Sequence, residues 1–513
     1  MNLRSVSVPL FAVLITKITL NAAPAGAATC ESLVSLILPD TTITLAQSVA
    51  AGAFTLPASG RGAAQQNAAF KQLPGFCRVA ATLKPSSDSD IKVEVWMPVA
   101  NWNNKFQAVG NGGWAGSISY PAMAEAVRRG YATSSTDTGH ASGGGSFALG
   151  HPEKLIDFGY RSEHEMTVKA KAIIDAFYGN APKFSYWNGC STGGRQGLRE
   201  VQSYASDFDG VIAGAPANPR TRLASWGVYM GQITLKDKAS YIPSSKYPVI
   251  HQAVVEACDA SDGVKDGIID DPTRCKFDFK TLQCKGEDAT SCLTAPQVEA
   301  AKKITAPAIN PRTGEQVYPG LSLGTELGWA TQTGGPEPNP NNVDQFKYVV
   351  FKDPNWDWRT FNIETDVALA DKIDNGTINA INPDLSAFTK HGGKLLMYHG
   401  WSDQNVPPLS TIHYYKSVLD KMGGGSKTSD WLRLFMVPGM AHCGGGEGPN
   451  RFDMVTALEQ WVEKGKAPEQ IVASRISDGK VARSRPLCPY PQVAKYKGTG
   501  STDDAANFTC KAP

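Results

Sequence analysis

Apolar and polar residues alternate along 91–97 (Ile-Lys-Val-Glu-Val-Trp-Met), the pattern of a strand with one buried face. Further on, the apolar positions come in short runs at 105–109, 184–187, 212–216, 394–398 and 432–437. Each reads as a short strand, and those at 212–216 and 394–398 as fully buried ones. Helical spacing lies between and after them. Residues 163–177 place Met166, Ala170, Ile173, Ile174 and Phe177 on one face, 195–204 have helical composition, and 454–464 repeat an amphipathic pattern. Strands alternating with helices predict the α/β class. Residues 28–90 read as an irregular entry with a few strands.

The alternation stops between 217 and 390. That stretch is rich in Pro, Asn and Trp and holds closely spaced cysteines, and its 336–342 segment (Pro-Glu-Pro-Asn-Pro-Asn-Asn) is a surface loop. It reads as a lid domain, 217–390, inserted into a catalytic domain formed by 28–216 and 391–513. The N-terminus has its own pattern. A basic start is followed by an apolar run over 6–20, broken by Pro9 and Lys17, and then by Ala25-Gly26-Ala27. Residues 1–27 are therefore expected to be a cleaved secretory signal peptide rather than a membrane anchor.

The candidate chemistry lies where the strands end. Strand 184–187 runs into Gly189-Cys190-Ser191-Thr192-Gly193-Gly194 and then into a helix. A strand, a Gly-x-Ser-x-Gly turn and a helix make a nucleophile elbow, which needs small flanking residues so that strand and helix can pass closely. The N–H of Thr192 is then an oxyanion donor, and Gly112 or Gly113, in the Gly-rich loop after strand 105–109, a second. Strand 394–398 leads to His399 and Asp403, and strand 432–437 to His442 and Cys443. The order Ser191, Asp403, His442 is that of an α/β-hydrolase triad. In it Ser191 attacks a carbonyl, His442 moves its proton, and Asp403 orients the imidazole. His399, four residues before Asp403, competes for the role of base.

Net charge is only +2 over 513 residues, so charge offers no case for nucleic acid or an anionic membrane as partner. Ten cysteines, an even number in a chain read as exported, imply disulfides. Short loops close at least entropic cost, which favours Cys258 with Cys275, Cys284 with Cys292 and Cys488 with Cys510, leaving Cys30, Cys77, Cys190 and Cys443. A Cys190–Cys443 bridge would tie the neighbour of the nucleophile to the neighbour of the base; the alternative is that either cysteine pairs elsewhere.

The combination Gly189-Cys190-Ser191-Thr192-Gly193-Gly194, Asp403 and Gly439-Met440-Ala441-His442-Cys443 resembles the tannase and feruloyl esterase family, the group that also includes mono(2-hydroxyethyl) terephthalate hydrolase. The resemblance covers essentially the whole mature chain. It implies an exported esterase of aromatic acids with an α/β-hydrolase fold, a triad tied by the Cys190–Cys443 bridge, a further Cys30–Cys77 disulfide, and a lid that sets substrate preference.

Residues 258–270 gather Asp259, Asp262, Asp266 and Asp270 around Gly263 and Gly267. Hard oxygen donors at this density suit Ca²⁺ better than a bare acidic turn, although the EF-hand pattern fits only in part. The family resemblance implies a structural calcium held by the side chains of Asp259, Asp262 and Asp266 and the carbonyls of Val264 and Ile268, with Cys258–Cys275 closing the loop.

The expected protein is a secreted or periplasmic serine carboxylester hydrolase acting through an acyl-serine on hydroxycinnamoyl (feruloyl-type) esters, small or attached to plant polysaccharide or polyphenol, with no nucleic-acid or membrane partner. Galloyl and mono(2-hydroxyethyl) terephthalate-type esters are the alternatives within that class. A serine peptidase and a non-catalytic binding protein on the same scaffold are the rivals outside it.

Overall fold

The computed structural model describes residues 28–56, 70–141 and 143–513, so the expected leader, 1–27, lies outside the described residues. Within them, β1 (Thr41–Val49), β2 (Phe76–Leu83) and β3 (Ile91–Pro98) pair antiparallel. β4 (Lys105–Val109), β5 (Ala132–Thr136), β6 (Phe184–Cys190) and β7 (Gly210–Gly214) follow. A small hairpin, β8 (Ala308–Ile309) with β9 (Gln316–Tyr318), lies in the inserted stretch before the sheet resumes with β10 (Lys394–Gly400) and β11 (Leu432–Val437). The described residues thus form a nine-stranded sheet in the order β1-β2-β3-β5-β4-β6-β7-β10-β11, parallel from β5 onward. This is the α/β-hydrolase arrangement.

β6 runs near the middle of the sheet, and its successive side chains point to opposite faces. Trp187 packs on one face against Met166, Ile173 and Ile174 of the helix Ser162–Tyr178 and Leu198 and Val201 of the helix Thr192–Ser203. Tyr186 packs on the other with Ile212, Phe435 and with Leu458 and Trp461 of the helix Met454–Lys464. With both faces covered, β7 and β10 have no exposed side to advertise, hence their continuous apolar runs Val211–Ala213 and Leu395–Met397. β5 breaks that rule. Its sequence, Ala-Thr-Ser-Ser-Thr, is wholly buried, and three of its four hydroxyls are used internally: Thr133 Oγ1 donates to Gln107 O at 2.7 Å, Ser135 Oγ accepts from Ser119 N at 2.9 Å and Thr136 Oγ1 accepts from Thr138 N at 3.1 Å, while Ser134 Oγ is buried without a partner. Hydrogen bonding, not side-chain hydrophobicity, makes this strand buriable.

The inserted stretch has its own core, with Trp226, Met230, Ile250, Val298, Trp329, Phe346 and Trp358 among its buried residues. Ala380, Leu385 and Phe388 belong instead to the core of the large sheet, so the chain rejoins the catalytic layer about ten residues before 391. Val406, just beyond Asp403, packs in the lid core, so the two cores meet beside the site. Beyond β11 the chain ends in two hairpins, β12 (Ile471–Ser477) with β13 (Lys480–Leu487) and β14 (Val493–Tyr496) with β15 (Phe508–Lys511). Val264 of the acidic loop packs on these hairpins with Cys488, Ala494 and Phe508.

All ten cysteines lie among the described residues and pair as Cys30–Cys77, Cys190–Cys443, Cys258–Cys275, Cys284–Cys292 and Cys488–Cys510. Among the described residues no helix is long and apolar enough to cross a membrane.

One ion pair fastens the lid to the loop that follows His442. His251, on the lid helix Tyr247–Cys258, bonds buried Glu326 through Nδ1 at 2.9 Å and Glu447 through Nε2 at 2.8 Å. Burial opposes the charged imidazole, but the two carboxylates outweigh it and lift its pKa to about 9. A raised pKa stabilises the fold fully below the unfolded value of 6.5 and loses that contribution as pH climbs through about 9. In His251→Gln the loss of stability is therefore expected to be largest near neutral and mildly acidic pH, roughly 2–3 kcal/mol, and to fade as pH rises past the folded pKa. Thermal unfolding of both proteins across this range checks it; a pH-independent difference would remove the charged latch.

Candidate active site

Ser191 sits at the turn between β6 and the helix Thr192–Ser203 with φ 63° and ψ −121°, a strained backbone for a residue with a side chain. The turn is held from both sides: Ser191 N donates to Gly214 O at 2.9 Å, and Ser191 O accepts from Ala217 N at 3.0 Å. Two glycines make room for it. A Cβ on Gly189 would lie 2.3 Å from Gly193 O, and one on Gly194 would lie 2.2 Å from Gly214 O, both far inside contact distance.

Asp403 follows β10 and is fully buried with four hydrogen bonds to its carboxylate. Oδ1 accepts from Asn405 N at 2.8 Å and Val406 N at 2.9 Å; Oδ2 meets His442 Nδ1 at 2.7 Å and His399 Nε2 at 3.0 Å. Burial pushes its pKa up, but the two imidazoles outweigh that and hold it well below the usual carboxylate range. For His442, burial disfavours the charged ring and the Asp403 carboxylate more than compensates, so its pKa is raised above 6.5. His442 Nδ1 is thereby committed to Asp403, and Nε2 has no hydrogen-bond partner among the described residues. His399 is placed differently. It is wholly buried, with Nε2 against both Asp403 Oδ2 and Val406 O (2.9 Å) and Nδ1 against Thr411 Oγ1 at 2.7 Å. Two acceptors at Nε2 require the hydrogen there. His399 therefore braces the carboxylate from behind and does not line the cleft.

Ser191 and His442 line one cleft of about 420 Å³, together with Thr192, Gly112, Gly113 and both half-cystines Cys190 and Cys443. The loop carrying Gly112 and Gly113 is stapled to the elbow. Gly193 N donates to Asn111 O at 2.8 Å, Asn111 N donates to Gln196 Oε1 at 3.0 Å, and Thr192 Oγ1 donates to Gly113 O at 2.6 Å. Gly193 thus has its N–H occupied, while the N–H of Thr192 has no carbonyl four residues back within its helix. The cleft roof comes from the lid: Gln332, Asn339, Asn341 and Asn342, with Arg220 and Leu223 at its side.

The acidic loop does not line this cleft and packs against the C-terminal hairpins. Asp259, buried, accepts from Asp266 N at 3.1 Å and Gly267 N at 2.9 Å; Asp262 accepts from Val264 N at 2.8 Å, and Asp266 from Ile268 N at 3.2 Å. Asp266 also pairs with Arg485 and, at 3.6 Å, with Arg483. Gly263 and Gly267 take left-handed φ values of 93° and 83° that let the chain double back. Every donor is an oxygen, which fits a hard cation. The carboxylates are nonetheless engaged with backbone N–H groups, and among the described residues no three His, Cys, Asp or Glu side chains converge as a metal-holding group.

The family model described as tannase and feruloyl esterase matches residues 77–511. The chain belongs to this family. An uncharacterized esterase of Xanthomonas campestris pv. campestris is 38% identical, over 96% of this chain and 92% of that protein. A probable feruloyl esterase B-2 of Neosartorya fischeri is 36% identical, over 85% of this chain and 86% of its own length. The crystal structure of feruloyl esterase B from Aspergillus oryzae superposes with a TM-score of 0.88 at 33% identity, covering 94% of this chain and 99% of that one. Tannin acyl hydrolase from Aspergillus niger shares the fold, with a TM-score of 0.70 at 22% identity. The protein is a carboxylic ester hydrolase of the tannase and feruloyl esterase type.

Sequence reasoning passed over several residues that build this esterase site. Asn111 and Gln196 hold the Gly112–Gly113 loop, and nothing in their local sequence marks them out. Arg220 and Asn341 reach the cleft from the lid, which has no strand–helix rhythm from which their positions could be read. His399 did carry a signal, its spacing from Asp403, but its place behind the carboxylate depends on the packing of Thr411.

Cys190–Cys443 closes a sequence separation of 253 residues immediately beside Ser191 and His442. Cys190→Ala/Cys443→Ala is expected to lose roughly 5 kcal/mol of stability in the chain-entropy model. Its kcat on a p-nitrophenyl ester should fall further than its KM changes, because the loop bearing His442 is no longer held in register. Denaturant unfolding and steady-state kinetics check both, and an unchanged kcat would show that the bridge does not position His442.

Proposed function

We propose that this chain hydrolyses esters of hydroxycinnamic (feruloyl-type) acids through an acyl-Ser191 intermediate, and that it does so outside the cytoplasm. The observation that carries the mechanism is the 2.7 Å contact of His442 Nδ1 with buried Asp403, in a cleft that Ser191 shares from its strained turn. Ser191 Oγ attacks the ester carbonyl as His442 Nε2 takes its proton. The tetrahedral oxyanion is met by the N–H of Thr192 and an N–H of Gly112 or Gly113. His442 then protonates the departing alcohol, and water repeats the sequence to release the acid. Asp403 stays ionised throughout and stabilises the imidazolium without taking its proton.

The feruloyl preference rests on likeness to the feruloyl esterase relatives. The amide-lined roof also supports an acyl group carrying ring oxygens. Five disulfides and the 1–27 leader pattern support export, and ester substrates borne on plant polysaccharide suit an exported enzyme. In the acidic loop, calcium would be held by Asp259, Asp262, Asp266 and the carbonyls of Val264 and Ile268. Bound there, it would offset the charge of these carboxylates and brace the lid against the hairpins, with no part in the chemistry.

The deciding experiment compares kcat/KM on methyl ferulate, methyl gallate, mono(2-hydroxyethyl) terephthalate and a short p-nitrophenyl ester, with Ser191→Ala alongside. Methyl ferulate should lead, and Ser191→Ala should lose at least about 10³-fold. A lead for gallate or terephthalate would reassign the acyl group, and no turnover at all would favour a binding protein. The base must be neutral, so kcat/KM should rise with pH through an apparent pKa above 6.5 and then level off. Asp403→Asn should cost about 10⁴-fold and move that limb to lower pH, since the charge that raises the pKa of His442 is gone. For the calcium reading, EGTA should lower Tm by roughly 5 °C, with recovery on adding CaCl₂. An unchanged Tm would remove the ion from the account.

A further inference from the structure

Arg220 opens the lid helix Arg220–Leu235 and borders the cleft that holds Ser191 and His442. It is 6% exposed, and its guanidinium lies over the Trp114 ring at 4.7 Å. A guanidinium carries five N–H hydrogens. The structure records one hydrogen bond for it, Nη2 to Asn341 O at 2.5 Å, an oxygen that also accepts from Trp114 Nε1 at 3.1 Å. Arg220 Nε is buried with no partner, and among the described residues no carboxylate forms an ion pair with this side chain. The other buried arginine nearby shows what a purely structural role requires. Arg195 donates to Gly159 O at 2.8 Å, Ile378 O at 3.1 Å and Phe158 O at 3.1 Å. Arg220 is buried to a similar degree with far fewer partners, and unlike Arg195 it lines the cleft. Asp344 lies close enough to act on this charge but makes no direct ion pair with it, and a buried guanidinium with Nε unmet is costly unless something else meets it. Asn405, also on the cleft wall, likewise has a buried and unpartnered Oδ1.

We propose that Arg220 is a specificity-determining residue that receives an acceptor oxygen of the substrate's acyl group, selecting rings that carry oxygen or negative charge over bare rings. The proposal rests on the ester-hydrolase reading of this cleft and names the chemistry its acyl side selects. Two sources can supply that oxygen, a phenolic oxygen as in ferulate or a remote carboxylate as in a terephthalate monoester. Trp114 holds the guanidinium plane and Asn341 O holds one edge, so the cation is aimed before substrate arrives, and little is lost in ordering it.

The test is the ratio of kcat/KM values for methyl ferulate and monomethyl terephthalate to that for methyl cinnamate, which has no ring oxygen. It is measured in the wild type, Arg220→Gln and Arg220→Lys, with thermal unfolding of each. In Arg220→Gln the oxygenated esters are expected to lose about 10- to 100-fold more than methyl cinnamate, chiefly through KM. Arg220→Lys should recover part of that ratio for the carboxylate ester. A collapse confined to ferulate assigns the phenolic oxygen, and one confined to the terephthalate ester assigns the carboxylate. An equal loss on all three esters, or no change in the ratio, would overturn the proposal and leave Arg220 a packing partner of Trp114. Ester turnover that persists in Ser191→Ala overturns the acyl-serine reading instead, and the ratio still reports on Arg220.

Discussion

The helix after β6 passes so close to its own strand and to the end of β7 that no side chain fits at Gly189 or Gly194. That approach turns the chain sharply enough to place Ser191 at φ 63°, and the rest of the site is arranged around the result. The strain is small beside the burial that enforces it. Trp187 on one face and Tyr186 on the other anchor β6 in two separate cores, so the turn cannot relax without moving both. The same helix supplies Gln196 and Gly193, which hold the Gly112–Gly113 loop through Asn111. One steric constraint thus sets both Ser191 and the loop opposite it.

Electrostatics set the other half of the site. A fully buried carboxylate is tolerable only when its oxygens are satisfied, and Asp403 has two backbone N–H groups and two imidazoles to do so. The two histidines divide the work by burial. His399 is enclosed and braced by Thr411; His442 reaches the cleft and keeps one ring nitrogen available. The Cys190–Cys443 bridge joins this half to the elbow, so the two segments that must cooperate are covalently held although they come from distant parts of the chain.

The lid contributes the cleft's character more than its chemistry. Its core is separate from that of the sheet, yet it touches the catalytic layer at defined points: Val406 in its apolar core, Asn341 O beneath Trp114 and Arg220, and the His251–Glu447 pair beside the His442 loop. The polar groups facing the cleft from the lid are amides, the Thr331 hydroxyl and a guanidinium, so this wall of the cleft offers hydrogen bonds as well as shape.

Much of this was legible in the sequence wherever the signal was local. The parallel strands announce themselves because burial on both faces demands continuous apolar runs. The elbow shows because a tight turn demands small residues. Asp403 and His442 stand out because each lies in the loop that follows a buried strand, and His442 is further marked by the cysteine beside it. β5 stayed hidden because most of its buried Thr and Ser are satisfied by hydrogen bonds that only its neighbours provide. The lid's boundary near 380 likewise depends on which core Ala380, Leu385 and Phe388 join. The sequence by itself determined the α/β class, the elbow and the order of the three candidate catalytic residues, since each is written in spacing along one stretch of chain. Tertiary structure alone decided that His442 rather than His399 reaches the cleft, and that Arg220 borders it with a buried, unpartnered Nε. Both depend on burial and partners brought together from segments far apart in the chain, which no local pattern encodes.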